Sequence, residues 1–197
     1  RGEAWYRAHF GRVGEAGLNL DASPYYLFHP AVPARMHALL PAAKLVVLLR
    51  DPVRRAYSHY WHERARGRET LEFEDAIAAE PARISEAEAG LADGSIARST
   101  DHQYFSYLAR GRYAGQLERW LALYPRERLH VVRFEDLVKE PLGGLNETLA
   151  FLGLPATSRV DLEARNTRRY PPLSEATAQR LREYFEPHNR QLERLLG

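Results

Sequence analysis

The sequence of 197 residues contains no cysteine. A disulfide framework, a thiolate metal site and a cysteine nucleophile are therefore excluded, and a reducing compartment is the expected environment. An excess of one charge is also missing, since 28 Lys and Arg residues face 26 Asp and Glu residues and give a net charge of +2. Without a global positive charge, binding to nucleic acid is not expected, and any anion site must be local.

Long apolar runs are missing as well. The longest unbroken one spans residues 45–49, far short of the roughly 20 residues that a membrane-spanning helix needs. The N-terminal region has no apolar segment typical of a signal peptide, so we expect a cytoplasmic protein without a transmembrane segment. Metal-binding signatures are scarce too. His59, His62 and Glu63 lack the HExxH spacing, so no metal site is predicted.

What is present is enough apolar material for one sizeable core, because hydrophobic residues make up 45% of the chain and aromatic residues 11%. We expect a single domain over residues 1–197. Residue patterns predict its elements in this order: a strand at 17–22, a helix at 32–40, a strand at 44–50, helices at 52–67 and 113–124, a strand at 129–134, a helix at 145–152 and a helix from Ser174 that Pro187 breaks.

This alternation of strands and helices predicts an α/β fold with a mainly parallel sheet. The strand at 44–50 is apolar without alternation, so we expect elements to cover both of its faces. Tyr113 and Trp120 follow the apolar stripe of their helix and are predicted to be core residues rather than a platform for substrate.

Residues 68–100 differ from the rest in being acidic and rich in alanine, with only a short helical pattern at 73–79. Pro81, Gly90 and Gly94 are expected to interrupt that pattern. We therefore expect this region to be the most mobile and variable part of the chain.

The end of the apolar strand carries a concentration of hydrogen-bond donors, in the stretch KLVVLLRDPVRRAYSHYWH at 44–62. Asp51 is suited to cap the next helix and Pro52 to occupy its first position. In parallel sheets, ligands bind beyond the carboxyl ends of the strands, beside such helix starts. Arg50 and Ser58 are therefore candidates to hold a tetrahedral anion.

The residues alone leave a second interpretation open. Arg50 can instead pair with a carboxylate, while Ser58 faces a neighbouring helix. Arg54 and Arg55, between them in the sequence, are expected to be flanking structure or charge on the acceptor side rather than direct ligands.

The same stretch resembles the segment of sulfotransferases that binds 3'-phosphoadenosine 5'-phosphosulfate (PAPS), in which a strand-end Arg and a Ser eight residues later hold the 3'-phosphate. Arg50 and Ser58 fall on these two positions. Seven other segments resemble the family in the same order, namely WYRAHF, LDASPYYLFHP, GRYAGQLERWLALYP, FEDL, FLGLP, NTRRYPPL and YFEPHNRQLERLLG. The resemblance is to bacterial members that are related to the heparan sulfate N- and 3-O-sulfotransferase domains.

This resemblance implies a fold and a reaction. The fold is the three-layer architecture of P-loop NTPases, with helices on both sides of a mainly parallel central sheet. The reaction is transfer of a sulfuryl group from PAPS, as co-substrate, to a hydroxyl or amine of a carbohydrate or other small acceptor, without a metal. The acceptor and the oligomeric state are not readable from the residues.

The segment NTRRYP resembles the late loop that closes over the cofactor in this family. The resemblance implies cofactor contacts from Asn166, Thr167, Arg168, Arg169 and Tyr170, with Arg168 at the position of the family's Arg. Asn166 and Thr167 replace a Lys and a Gly of the family pattern. The alternative is that Arg168 and Arg169 form a solvated basic turn.

Asp21, in LDASP, corresponds to an acidic position of the family near the acceptor. The resemblance makes it a candidate active-site residue. The alternative is a capping role in the turn at Ser23 and Pro24.

One part of the family pattern has no counterpart among the 197 residues. In the family, a Lys in an early KxGTT-type loop holds the 5'-phosphosulfate, and a Glu or His further on usually acts as the base. Lys44 and Lys139, the only lysines, stand in other contexts. We therefore expect the first strand, its loop and the catalytic base to lie upstream of Arg1 in a longer natural protein.

These gaps keep other functions open. The alternative to a sulfotransferase is a truncated, non-catalytic domain of the same fold that binds nucleotide or a partner. A kinase that uses ATP is disfavoured, because the GxxxxGK[ST] motif does not occur in the chain.

Overall fold

The structure is a computed structural model that describes residues 3–10, 17–161 and 170–197. Its helices and strands follow in the order α1 (Glu3–Arg7), α2 (Val32–Leu39), β1 (Leu45–Leu49), α3 (Pro52–Arg64), α4 (Phe73–Asp93), α5 (Thr100–Tyr104), α6 (Tyr113–Leu121), β2 (Leu129–Arg133), α7 (Phe134–Lys139), α8 (Pro141–Leu152) and α9 (Glu175–Leu196). Two 3-10 turns, Ala109–Gly111 and Arg126–Arg128, precede α6 and β2.

The two strands pair in parallel, with Leu45 opposite Leu129 and Leu49 opposite Arg133. Helices α3 to α6 lie between the strands in sequence, as a parallel connection requires. The predicted strands at 44–50 and 129–134 are thus confirmed, and within the described residues they form a sheet of two strands.

The two faces of β1 differ in burial. Leu45 and Leu49 are buried, whereas Val46 and Leu48 keep 42% and 52% of their surface exposed. Helix α8 packs on the second face beside β2, where the centres of the His130 and Phe151 rings are 5.1 Å apart. The expectation that β1 is covered on both faces is therefore wrong for the part of the chain that the structure describes.

The predicted strand at 17–22 is also wrong. These residues have no regular secondary structure, and Leu18 and Leu20 are largely exposed. The segment has few apolar residues, and no described strand lies beside it to pair with its backbone.

Two helices continue through residues that were expected to interrupt them. Helix α4 contains Pro81 and Gly90 and ends only at Gly94, which has a left-handed backbone with φ of 82°. Helix α9 likewise contains Pro187. Both helices bury long apolar faces, and this packing offsets the roughly 3 kcal/mol that an interior proline costs a helix.

Two buried clusters meet near the start of α3. The first joins α3, α4 and α9 and contains Val53, Ala56, Tyr60, Phe73, Ala76, Ile77, Tyr107, Leu181 and Phe185. The second lies under the sheet and contains Leu45, Leu49, Tyr113, Leu117, Trp120, Tyr124 and Leu129. The predicted core positions of Tyr113 and Trp120 are confirmed.

Gly111 allows these clusters to come together. A Cβ atom at this position would lie 2.6 Å from Cε1 of Phe185 and 3.0 Å from Cβ of Pro52. The absence of a side chain therefore lets α9 approach the start of α3. This contact brings the end of β1, the first turn of α3 and the N-terminal half of α9 to one place.

Candidate anion-binding site

A cavity of about 450 Å³ lies where β1 ends and α3 begins. The segment 170–173 and the N-terminal half of α9 form its other walls. The residues that line it are Arg50, Asp51, Val53, Arg54, Tyr57, Tyr170, Pro171, Pro172, Leu173, Ala178 and Arg182. The cavity is therefore at the edge of the sheet where the sequence predicted an anion site.

Arg50 follows the last residue of β1 and is one of the residues that line the cavity. Its Nε atom is buried and has no hydrogen-bond partner among the described residues. The guanidinium carbon lies 5.1 Å from the centre of the Phe134 ring. Tyr113 fixes the backbone at this point by donating its hydroxyl to the Arg50 carbonyl oxygen at 2.9 Å.

The carboxylate partner that the alternative interpretation gives to Arg50 is not found. Within residues 3–10, 17–161 and 170–197, no carboxylate oxygen lies within 4.0 Å of this guanidinium. A half-buried cation that has no counter-ion among the described residues is able to receive an anion, since a ligand would supply that partner.

The first turn of α3 is built as the sequence predicted. Asp51 caps the helix by accepting from the Arg54 N–H at 2.8 Å, and Pro52 occupies the first helical position. The Asp51 N–H points elsewhere, donating to Oε1 of Glu135 at 3.0 Å. The positive end of the α3 dipole faces the cavity and favours negative charge there.

Two further arginines belong to the cavity wall. Arg54 comes from the first turn of α3, and Arg182 from α9, where its guanidinium is paired with Glu175. Sequence reasoning missed both as cavity residues. The spacing of Ala178 and Arg182 puts them on one face of α9, but no local signal indicates that this face turns toward β1.

Arg55 has a different environment from Arg54. It is turned into the protein, where it donates to the backbone carbonyl of Tyr107. Burial lowers the pKa of the Arg55 guanidinium. Its structural role agrees with the sequence-based expectation, whereas Arg54 faces the cavity.

Ser58 lies one turn beyond Arg54 on α3 and is half-buried. It is outside the set of residues that line the cavity. The structure thus brings Arg50, Arg54 and Arg182 together and leaves the Ser58 hydroxyl one turn away. A direct contact of Ser58 with the same anion stays a prediction.

The late loop is described only from Tyr170 onward, because Asn166, Thr167, Arg168 and Arg169 lie outside the described residues. Tyr170 lines the cavity. The predicted contacts of the four preceding residues with a cofactor therefore stay predictions.

Asp21 accepts two hydrogen bonds from tyrosine hydroxyls, from Tyr6 at 3.1 Å and from Tyr26 at 2.9 Å. Burial and the bond to Asp21 raise the pKa of Tyr6 to about 12. The turn at Ser23 is held by its own hydroxyl, which accepts from the Tyr25 N–H at 3.3 Å. Asp21 is not among the cavity residues, and a role near the acceptor stays a prediction.

The loop and the base that the family pattern places upstream of Arg1 have no assigned counterpart in the structure. Arg1 itself lies outside the described residues. The two lysines of the chain lie away from the cavity wall, since Lys44 donates from Nζ to the Phe151 carbonyl oxygen at 2.6 Å and Lys139 is in the last turn of α7. The expectation that a first strand, its loop and the base precede Arg1 therefore stays a prediction.

In the described ranges, no three His, Asp or Glu side chains are arranged to hold a metal ion. Among the same residues, no helix has the length and hydropathy that would let it cross a membrane.

Comparisons with known proteins agree with this geometry. A profile of the sulfotransferase domain matches residues 21–190. Over 94% of its length, the chain is 33% identical to the bifunctional heparan sulfate N-deacetylase/N-sulfotransferase of Drosophila melanogaster. Over its whole length, it is 28% identical to heparan sulfate glucosamine 3-O-sulfotransferase 3A1 of Mus musculus. It spans 19% and 52% of these two relatives.

A solved structure is similar over the whole chain. The sulfotransferase from Alicyclobacillus acidocaldarius superposes with a TM-score of 0.81 at 31% identity, and the match covers 100% of this chain and 71% of the other. The parallel strands flanked by helices and this match confirm the predicted α/β fold of the P-loop-like class. The resemblance stated from the sequence motifs is likewise confirmed, and the chain belongs to the sulfotransferase family.

Proposed function

We propose that the protein transfers a sulfuryl group from PAPS to a hydroxyl or amine of a carbohydrate or other small acceptor. The observation that carries this proposal is Arg50, which lines the cavity, has a buried Nε atom without a hydrogen-bond partner and has no carboxylate partner among the described residues. It stands at the N-terminal end of α3, where the helix dipole favours negative charge.

The charge of the cavity suits a nucleotide with more than one phosphate. Arg50 and Arg54 lie on the β1 side, and Arg182 on the α9 side. Guanidinium groups offer paired donors that match phosphate oxygens, and they remain charged at neutral pH. In this proposal Arg50 holds the 3'-phosphate of PAPS, with Ser58 and the loop residues 166–170 as further contacts.

Transfer of a sulfuryl group resembles phosphoryl transfer in its requirements. The acceptor oxygen or nitrogen and the leaving phosphate must be in line, and a base must take the acceptor's proton. The cavity serves the first requirement by fixing the nucleotide end of the donor. The base is expected upstream of Arg1, and Asp21 is a candidate residue on the acceptor side.

The acceptor class is supported by the relatives. Two of them are named for heparan sulfate and one of these for its glucosamine units, so we include a carbohydrate among the acceptors of this chain. An acidic sugar chain is therefore the first acceptor to test.

Calorimetry with 3'-phosphoadenosine 5'-phosphate (PAP), the product nucleotide, tests the binding step. Arg50→Ala should weaken PAP binding about 10- to 100-fold, since a charge-assisted hydrogen bond contributes about 1.5–3 kcal/mol. Arg190→Ala is the matched control, because Arg190 is an exposed arginine of α9 whose partner is Glu186. Unchanged affinity in Arg50→Ala, or no binding by the wild type, would contradict the proposal.

Transfer of labelled sulfate from PAPS to a heparan-type acceptor, measured with protein that includes the segment expected upstream of Arg1, tests the reaction itself. Binding of PAP without transfer to any carbohydrate, phenol or amine offered would instead support the non-catalytic, nucleotide-binding alternative. Displacement of PAP by equimolar ATP would favour an ATP-dependent function.

A further inference from the structure

Two aromatic side chains of α3, Tyr57 and Trp61, hold the segment that closes the cavity. They are one turn apart and therefore on the same face of the helix. The Trp61 and Tyr170 rings stack in parallel, with centres 5.7 Å apart and an angle of 6°. The Tyr57 ring meets Tyr170 edge-on at 5.5 Å, and its hydroxyl donates to the Pro171 carbonyl oxygen at 2.9 Å.

The segment 170–173 makes few other polar contacts, although Leu173 packs against the first buried cluster. It has no regular secondary structure, and Pro171 and Pro172 have no N–H groups to donate. Among the described residues, the bond from Tyr57 is the single hydrogen bond that this segment makes. The positions of Tyr170 and Pro171 in the cavity wall therefore depend on the side chains of α3, whereas Leu173 is held by the buried cluster.

We propose that Tyr57 and Trp61 are positioning residues, which hold the segment 170–173 against α3 so that the two walls of the nucleotide cavity keep a fixed separation. This inference rests on the proposed function, because the cavity is taken to be the nucleotide site. It adds that nucleotide affinity depends on a tyrosine hydroxyl that need not touch the phosphate.

A matched residue separates this role from simple stabilisation of the fold. Tyr60, also on α3, donates its hydroxyl to the Leu71 carbonyl oxygen at 3.1 Å and packs against Phe73. It lies in the buried cluster and does not line the cavity. Tyr57→Phe and Tyr60→Phe thus remove the same kind of bond from the same helix, and only one of the bonds reaches the cavity wall.

The experiment measures PAP affinity by calorimetry and thermal unfolding for the wild type and both variants. Tyr57→Phe should weaken PAP binding about 3- to 10-fold, which is the effect of losing one hydrogen bond. Tyr60→Phe should bind as the wild type does. Both melting temperatures should fall by about 2–4 °C, so stability alone would not explain the difference.

Trp61→Leu provides a second variant, which removes the stacked ring and leaves the Tyr57 hydroxyl in place. It should also weaken PAP binding through the loss of its contact with Tyr170, and in a transfer assay Tyr57→Phe and Trp61→Leu should both raise the KM for PAPS with little change in kcat. The inference is overturned if Tyr57→Phe binds PAP like the wild type, or if Tyr60→Phe loses as much affinity. Absence of PAP binding by the wild type would overturn the proposed function as well, so the two failures are distinguishable.

Discussion

At the scale of single residues, the hydrogen-bond partners of Arg50, Arg55 and Arg110 determine whether each guanidinium is available to a ligand. Arg55 and Arg110 both donate to backbone carbonyls, of Tyr107 and Gln103, and burial lowers the pKa of each. Both guanidinium groups are thus used inside the protein, where they bind the backbone of the segment around residues 103–107. Arg50 makes no such bond within the described residues, and its charge is available to a ligand.

His102 is a buried residue whose protonation links folding to pH. Its Nδ1 atom is 2.6 Å from the Tyr25 hydroxyl, and its ring stacks on Phe28 at 4.3 Å. Burial, and next the neighbouring charge of Arg110, lower the pKa of His102 to about 4. The side chain is therefore neutral in the folded protein at neutral pH.

We predict that His102 makes the folded state less stable in mild acid. Between about pH 6.5, the ordinary pKa of histidine, and about pH 4, the unfolded chain binds a proton at this residue that the folded protein does not. The free energy of unfolding should therefore fall as pH decreases through this window.

Urea unfolding at a series of pH values measures this slope. His102→Phe keeps a stacking ring without a titrating group, so the slope should become smaller in that variant. An equal slope in both proteins would contradict the assignment. His37, which is less buried than His102 and contacts Tyr124, provides the control variant His37→Phe.

At the scale of elements, close approach between helices positions the site. Gly111 lies in the turn before α6, where the Phe185 ring and Pro52 leave no room for a side chain. Gly115 lies within α6, and the nearest atom to a Cβ there would be Oε2 of Glu118 at 4.0 Å. The two glycines are four residues apart and differ in how closely other side chains approach them.

We predict opposite effects on stability for alanine at these two positions. Gly111→Ala should lower the free energy of unfolding by about 1–3 kcal/mol, since α9 must move away from the start of α3. Gly115→Ala should raise it by about 0.5–1 kcal/mol, because alanine is the better residue inside a helix. Chemical denaturation measures both, and a stable Gly111→Ala protein would show that this contact is less tight than described.

At the scale of the whole molecule, the sheet has one packed face and one partly open face. Leu49 is buried against the cluster under the sheet, whereas its neighbour Leu48 is 52% exposed on the other face. Val46, Val138 and Leu142 are further exposed apolar residues of the described chain.

That the 197 residues form one domain stays a prediction.

We predict that adjacent leucines of β1 differ in their contribution to stability. Leu49→Ala should lower the free energy of unfolding by about 2–5 kcal/mol, as is usual when a buried leucine is truncated. Leu48→Ala should cost less than about 1 kcal/mol, since half of the side chain is already in water. Equal losses in the two variants would show that the outer face of β1 is covered in the protein as purified.

Short sequence patterns were sufficient to predict part of the fold and the family. The apolar run of β1, the cap at Asp51, Pro52 in the first turn and the strand at 129–134 were all predicted, because neighbouring residues determine backbone conformation there. The family motifs are also local in sequence, and the sulfotransferase family was identified from them. The position of Arg50 at the end of β1 follows from the strand itself.

Contacts between residues that are distant in the sequence determined the features that were not predicted. Pro81 and Pro187 remain inside helices because buried faces of α4 and α9 outweigh their local cost. The segment 17–22 has few residues that favour a strand and no described strand beside it to pair with. Arg182 lines the cavity because α9 packs close to α3, and Tyr170 stacks on Trp61 of α3. These contacts join residues more than 100 positions apart, so no local sequence pattern could predict them. The residues of 44–62 were sufficient to predict an anion site at the end of β1. Which side chains line the cavity there depends on packing between elements that are distant in the sequence, and only the folded chain shows that packing.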